Sequence, residues 1–227
     1  MSHIKRIAAP KHWDIARKAG TFLARPNPGM HSYDYGLPLV HVLRDKLGLA
    51  TTRKEVRYIL NHHDVLVDGK NRKDHKFNIG FMDVLSFPTT KKAYRIIINT
   101  RGKIDVIEIK EKEANQKVLR VKGKAMVKGK VQLNLSDGRN VLVDKDSYKV
   151  NDAIAIELPS QKILGHFAFA KGAAILLTGG RHIGRQATVE SIEGNTLVIR
   201  TADDEMYETK KEHAYVIGKE KAHVQVQ

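Results

Sequence analysis

The sequence predicts an α+β fold, with a small helical and hairpin domain first, a β-rich central domain next and a small β-barrel last. Three observations predict it. Apolar residues recur at helical spacing between Leu37 and Leu60, β-branched runs replace that period after Thr89, and short strands set off by glycines continue to Gly218.

Residues 1–36 carry no long apolar period, and prolines and glycines recur at Pro10, Gly20, Pro26, Pro28, Gly29 and Gly36. The segment is expected to lack a core of its own. Its cations Lys5, Arg6, Lys11, Arg17, Lys18 and Arg25 outnumber its acids, so it is expected to gain order by lying on a phosphate-rich surface. Trp13, the only tryptophan, is expected to pack against the protein or a partner, with stacking on a base as the alternative.

Residues 37–88 read as two short helices and a hairpin. Gly36-Leu37-Pro38 opens the first helix, Leu39, Val40, Leu43 and Leu47 form its apolar face, and Gly48 stops it. Thr52-Arg53-Lys54-Glu55 is a capping box for the second, whose apolar face is Val56, Ile59 and Leu60. Arg53, Arg57 and Asn61 are four apart and form one column, with Lys54 beside it. Val65-Leu66-Val67 and the Asp68-Gly69 turn then lead into Lys70, Arg72, Lys73 and Lys76, which return positive charge alongside the helix.

Residues 89–170 are predicted to be mostly strand. Arg95-Ile96-Ile97-Ile98 and Ile104 to Ile109 are β-branched runs, and Val127 to Leu135 alternates apolar and polar residues as one half-buried strand would. Ser136-Asp137-Gly138 turns that strand into Val141-Leu142-Val143, and several such short strands predict a small barrel or curled sheet. Lys117, Arg120, Lys122, Lys124, Lys128 and Lys130 form a second basic stripe, more cations than an edge strand needs to avoid aggregation.

In residues 171–218, the strand Ala174 to Thr178 leads into Gly179-Gly180-Arg181-His182-Ile183-Gly184-Arg185. A phosphate-binding P-loop needs Lys and then Ser or Thr after its last glycine, whereas Arg185-Gln186 follow. The Glu193-Gly194-Asn195 turn and Leu197-Val198-Ile199 continue as a hairpin, with no helix whose N-terminus could hold a phosphate, so no nucleotide pocket is predicted. Residues 219–227 read as a short polar tail.

Forty Lys+Arg against 25 Asp+Glu give a formal net charge of +15 and a pI near 9.9. So large an excess points to a polyanionic partner. A membrane surface is disfavoured, because the sequence has no apolar stretch long enough to span a bilayer and no basic amphipathic helix with a broad apolar face. The basic N-terminus lacks an apolar signal core, so the protein is expected to stay inside the cell. With no cysteine, disulfides and thiolate zinc sites are excluded. His62, His63, Asp64 and His75 lack the spacing to close a metal site. The carboxylates at Glu108, Glu111 and Glu113, and at Asp203, Asp204 and Glu205, lie in polar stretches, and no nucleophile has a base beside it. No catalysis, cofactor, metal or small-molecule substrate is expected.

The segments Leu49 to Val56, Val65 to Lys70 and Gly80 to Phe87 resemble the S-four-type RNA-binding domain. The opening His3 to Arg17, with His3, Lys5, Arg6, Pro10, Trp13 and Arg17 in place, resembles the N-terminal signature of the S-four-e family of small-subunit ribosomal proteins. The glycine loop and hairpin around Gly184 resemble a KOW module, an SH3-like β-barrel. These resemblances imply a structural ribosomal protein in the cytoplasm, with small-subunit ribosomal RNA and neighbouring ribosomal proteins as partners. They imply RNA contacts from Lys5, Arg6, Lys11, Trp13, Arg17 and Lys18 in the N-terminal arm. The RNA-binding domain would add Arg53, Lys54, Arg57, Lys70, Arg72 and Lys73, the central domain Lys122, Lys124, Lys128 and Lys130, and the last module Arg181, His182 and Arg185. Two alternatives remain at this point. A transcription-elongation factor would share the KOW resemblance, and an RNA-modifying enzyme would share the helical domain, although residues 89–170 are too few for its catalytic domain.

Overall fold

Trp13 is 1% exposed, and with Ala9 and Leu23 it belongs to the same apolar cluster as Leu39, Leu43, Val56 and Leu60. The N-terminal segment, expected to lack a core, is therefore part of one. The computed structural model describes residues 3–33, 35–144, 146–201 and 204–226, and Asp203 of the acidic run lies outside the described residues. The chain divides into two units, Met1–Ile97 with Lys103–Asn115, and Ile98–Gly102 with Gln116–Gln227. These units differ from the expected boundaries in that the β-branched runs of residues 92–109 fall mostly in the first, and the central and C-terminal sheets share the second.

In the first unit, β1 (His3–Lys5) and β2 (Phe22–Ala24) pair antiparallel. The loop between them has few backbone ladder bonds, and two guanidinium groups supply its carbonyls with donors. Arg17 donates to the carbonyls of Ile7, Ala9 and Pro10 at 2.9–3.3 Å, and Arg6 donates to Ala16 at 2.8 Å. β3 (Gly36–Pro38) runs into α1 (Leu39–His41), which continues as a π-helical turn over Val42–Lys46, and α2 (Arg53–His62) follows. Pro38 is the N-cap, consistent with the proline-led start expected for this helix. The predicted capping box is present: the Thr52 hydroxyl accepts from the Glu55 N–H at 3.2 Å, and Glu55 accepts from the Thr52 N–H. Hydrogen bonds from Thr51 and Thr52 hold the Glu55 carboxyl below its ordinary range. Val56 and Leu60 are buried while Arg53, Arg57 and Asn61 are exposed, so the amphipathic reading of α2 holds.

β4 (Leu66–Val67), β5 (Lys70–Asn71), β6 (Asn78–Gly80), β7 (Val84–Phe87), β8 (Lys92–Ile98) and β9 (Ile104–Ile109) complete the unit. β3 pairs with β6, and a five-stranded sheet runs β5-β4-β7-β8-β9. The Asp68-Gly69 turn has φ of +50° and +73°, the left-handed pair that a two-residue hairpin requires.

In the second unit, β10 (Gln116–Val127), β11 (Lys130–Leu135), β12 (Asn140–Val143), β13 (Ala153–Glu157) and β14 (Ile163–Phe167) form a sheet ordered β12-β11-β10-β13-β14. A second sheet of β15 (Ala174–Leu177), β16 (Gln186–Glu193), β17 (Thr196–Thr201), β18 (Met206–Lys210) and β19 (Ala214–Gly218) is ordered β18-β17-β16-β15-β19. The fold is thus mostly β, with a half-barrel sheet. Val127 to Leu135 is not one strand, because a two-residue turn at Lys128-Gly129, with φ of +50° and +78°, splits it. Alternation continues in register across such a turn, so periodicity alone did not expose it. The hairpins at 136–139 and 194–195 fall where expected. The tail is not bare: Val224 and Val226 are buried, and Gly218 bridges to Ala222.

Candidate nucleic-acid interface

Cations mark a binding surface only where nothing in the protein already neutralises them, and the two units differ in this respect. On α2, Arg53, Lys54 and Arg57 are exposed, and among the described residues their side chains make no hydrogen bond or ion pair. The capping box at Thr52 and the burial of Val56 and Leu60 fix which side of the helix these cations occupy. Lys70 and Lys73, beyond the Asp68-Gly69 turn, are likewise exposed and unpaired. Arg72 lies over the Phe77 ring at 4.3 Å, its aliphatic stem half-buried and its Nε without a partner.

The two basic runs meet at His75. Burial pushes its imidazole below the ordinary range; Asp74 opposes this, and the charges of Arg57, Arg53 and Lys76 reinforce it. The helix column and the segment after the hairpin therefore share one local positive field. His75 Nε2 is buried with no partner among the described residues. Sequence reasoning missed His75 as a member of this site, because only the packing of residues 72–77 beside α2 places it there.

Of the N-terminal residues, Lys5, Lys11 and Lys18 are exposed, whereas Arg6 and Arg17 are spent on loop carbonyls. Trp13 is in the core and cannot stack on a base, which corrects its placement among the RNA contacts. Its burial follows from the apolar face of the helix 39–46, with His41 at a ring-centroid distance of 5.8 Å.

In the second unit most of the predicted stripe is already matched. Lys117 is wholly buried against Asp137 at 3.2 Å, and Arg120 donates to the carbonyls of Glu212 and Ala214. Lys124 pairs with Asp146 and Lys130 with Asp144, leaving Lys122 and Lys128 exposed and unpaired among the described residues. Of six cations in sequence, two are thus without a protein partner among the described residues. In the glycine loop Arg181 is exposed, and His182 stacks on Tyr207 at 3.9 Å, a contact that no local signal foretells because Tyr207 lies on β18. Gly184 has φ of +76°, and a Cβ there would collide with the Asn99 carbonyl.

Relatives settle which proteins share this arrangement. The chain is 39% identical over 226 residues to small ribosomal subunit protein eS4 of Methanosphaera stadtmanae, covering 96% of this chain and 93% of that one. It is 40% identical over 222 residues to the eS4 protein of Korarchaeum cryptofilum, covering 96% and 94%. The chain belongs to ribosomal family S4e. The model described as Ribosomal family S4e matches residues 90–163 of this S4e chain, and that of the RS4NT (NUC023) domain matches residues 2–34. The crystal structure of the 30S ribosomal protein S4e from Thermoplasma acidophilum superposes with a TM-score of 0.70 at 30% identity, covering 82% of this chain and 96% of that one. S4e is a family of structural ribosomal proteins and not an enzyme family. Among the described residues of this member, no cluster of His, Asp or Glu is arranged to hold a metal, and no helix is long and apolar enough to cross a membrane.

Proposed function

We propose that this S4e protein is a structural constituent of the small ribosomal subunit, held to ribosomal RNA chiefly by the unpaired cations of α2 and the following hairpin. One observation carries the reading: Arg53, Lys54, Arg57, Lys70 and Lys73 are exposed without protein partners, while most cations of the central stripe are matched by carboxylates or carbonyls. Groups of this kind bind RNA by displacing counterions from phosphates and by fitting the shape of a folded strand. We read residues 37–88 as the S-four-type RNA-binding domain and residues 171–218 as a KOW module presenting Arg181, His182 and Arg185. Lys122 and Lys128 add contacts from the central sheet, and Lys5, Lys11 and Lys18 add them from the N-terminal segment. Several modest contacts on one chain raise the effective concentration of each other. The protein works on the ribosome in the cytoplasm, beside other ribosomal proteins, and performs no reaction.

The test is a double variant. Arg53→Ala with Arg57→Ala should weaken binding to small-subunit ribosomal RNA and reduce the slope of log K against log salt by roughly one to two units, given about 0.9 per phosphate on duplex DNA and about 0.7 on single strands. A folded double variant with an unchanged slope would refute the assignment of this face.

A further inference from the structure

A cavity of about 170 Å³ opens in the first unit between β2, the helix 39–46 and the first residue of α2, lined among others by Phe22, Val40, His41, Arg44 and Arg53. Its walls add an aromatic ring and a buried imidazole, which the proposed phosphate contacts do not use, to Arg53, which they do. Phe22 is an aromatic ring 56% exposed, met edge-on by His3 at 4.7 Å. His41 is 1% exposed, and its Nε2 has no partner among the described residues. Arg53 is the unpaired guanidinium at the start of α2.

The other ring nitrogen of His41 is already engaged. Asp45 takes two bonds from Arg44, at 2.8 and 2.9 Å, and its Oδ2 lies 2.6 Å from His41 Nδ1. These partners outweigh burial and hold the Asp45 carboxyl well below the usual carboxylate range, so it accepts and Nδ1 carries the proton. Nε2, the ring's other polar atom, is buried and meets no protein partner among the described residues. A buried polar nitrogen without a partner is costly unless a ligand supplies one.

The volume is below the roughly 300–1,000 Å³ of pockets for drug-sized ligands, which suits one planar group. Asp45 is already taken by Arg44 and His41, so no free carboxylate is left to join the imidazole around a cation. An aromatic face, a cation for phosphate and a buried imidazole nitrogen together match an unpaired ribonucleotide, whose base can stack, whose phosphate is anionic, and whose 2′-hydroxyl and base edge can hydrogen-bond. A base inside a helix offers none of its faces. We propose that this cavity holds one unstacked nucleotide of the bound RNA, with its base on Phe22, its phosphate at Arg53 and a hydrogen-bonding group at His41 Nε2. The proposal rests on the RNA-binding reading and adds to it a preference for unpaired RNA.

The experiment compares full-length protein on two labelled RNAs, a short duplex and the same duplex with one nucleotide bulged out, by fluorescence anisotropy. Wild type should bind the bulged RNA more tightly. Phe22→Ala should lose about tenfold of that affinity, within the range for one base stacked on an aromatic ring, and leave duplex binding alone. His41→Asn keeps a donor toward Asp45 but does not reach the Nε2 position, and should also reduce the preference. Should His41→Asn fail to fold by circular dichroism, Phe22→Ala at its exposed position still decides. Equal binding of both RNAs by wild type, or an unchanged bulge preference in Phe22→Ala, overturns the cavity assignment. Arg57→Ala is the control for the underlying reading: it lies outside the cavity and should weaken both RNAs alike, and no effect there would overturn the RNA face itself.

Discussion

Asp137→Ala should be among the most destabilising single changes in the second unit. Lys117 Nζ sits 3.2 Å from Asp137 Oδ2, with the two side chains 0% and 1% exposed. At an effective dielectric of 20, unit charges at this distance attract by about 5 kcal/mol. Removing the carboxylate leaves the Lys117 ammonium buried without it, and breaking a buried pair in this way typically costs about 3–5 kcal/mol. The same carboxylate accepts from Arg139 Nε and from the Arg139 backbone N–H, each at 3.1 Å, so the turn after β11 loses about 1 kcal/mol more. Adding Lys117→Met to Asp137→Leu should recover most of the loss, because apolar replacements of a buried pair are often neutral or better. Denaturant unfolding followed by far-ultraviolet circular dichroism measures both variants. A cost below about 1 kcal/mol for Asp137→Ala, or a double variant no more stable than the single one, would show that the pair is not held as a buried ion pair.

Two further outcomes follow from named contacts. Burial works against the charge on Asp152, but N–H groups of Phe169 and Lys149 at 2.9 Å and His166 at 2.6 Å outweigh it and lower its carboxyl. A lowered folded-state value means that the stabilisation is complete above the unfolded value near 4 and is lost as pH falls through the folded value. Acid titration of unfolding midpoints should therefore be shallower for Asp152→Asn than for wild type, and parallel curves would remove Asp152 from the account. Gly184→Ala should cost more than Gly172→Ala in denaturant unfolding: both have left-handed φ, of +76° and +82°, worth about 1–2 kcal/mol, but only Gly184 has backbone of Asn99 and Thr100 in the way. Equal costs would show that the close approach carries no energy.

What the sequence revealed were features set by neighbours in the chain. The capping box at Thr52, the exposed column on α2, and the turns at Asp68-Gly69, Ser136-Gly138 and Gly194-Asn195 all depend on spacing of four residues or fewer, and the structure has each of them. What it concealed depended on distant partners. The N-terminal segment looked coreless because its apolar residues are few, yet Trp13 and Leu23 complete a cluster begun on the helix 39–46. The two arginines that looked like phosphate ligands, Arg6 and Arg17, satisfy carbonyls in a loop with little ladder of its own. His75 and Tyr207 entered the basic surfaces only through packing between segments.

The central stripe shows why a net charge of +15 does not by itself locate a binding face. Between Lys117 and Lys130 six cations stand without an acid among them, and linear charge density alone would rank this run above α2. Folding brings Asp137, Asp144 and Asp146 from the neighbouring strand and loops back onto Lys117, Lys130 and Lys124, and Arg120 turns to backbone carbonyls. A buried cation such as Lys117 cannot reach a phosphate at all and an exposed paired one must exchange its carboxylate for it, whereas an unpaired one releases only counterions. The α2 run has fewer cations, but Glu55, its one acid, is held by Thr51 and Thr52 at the helix start and leaves Arg53, Lys54 and Arg57 unmatched. The capping box that begins the helix therefore also keeps its carboxylate away from the basic face, so that one local sequence motif sets both the fold and the charge available for RNA.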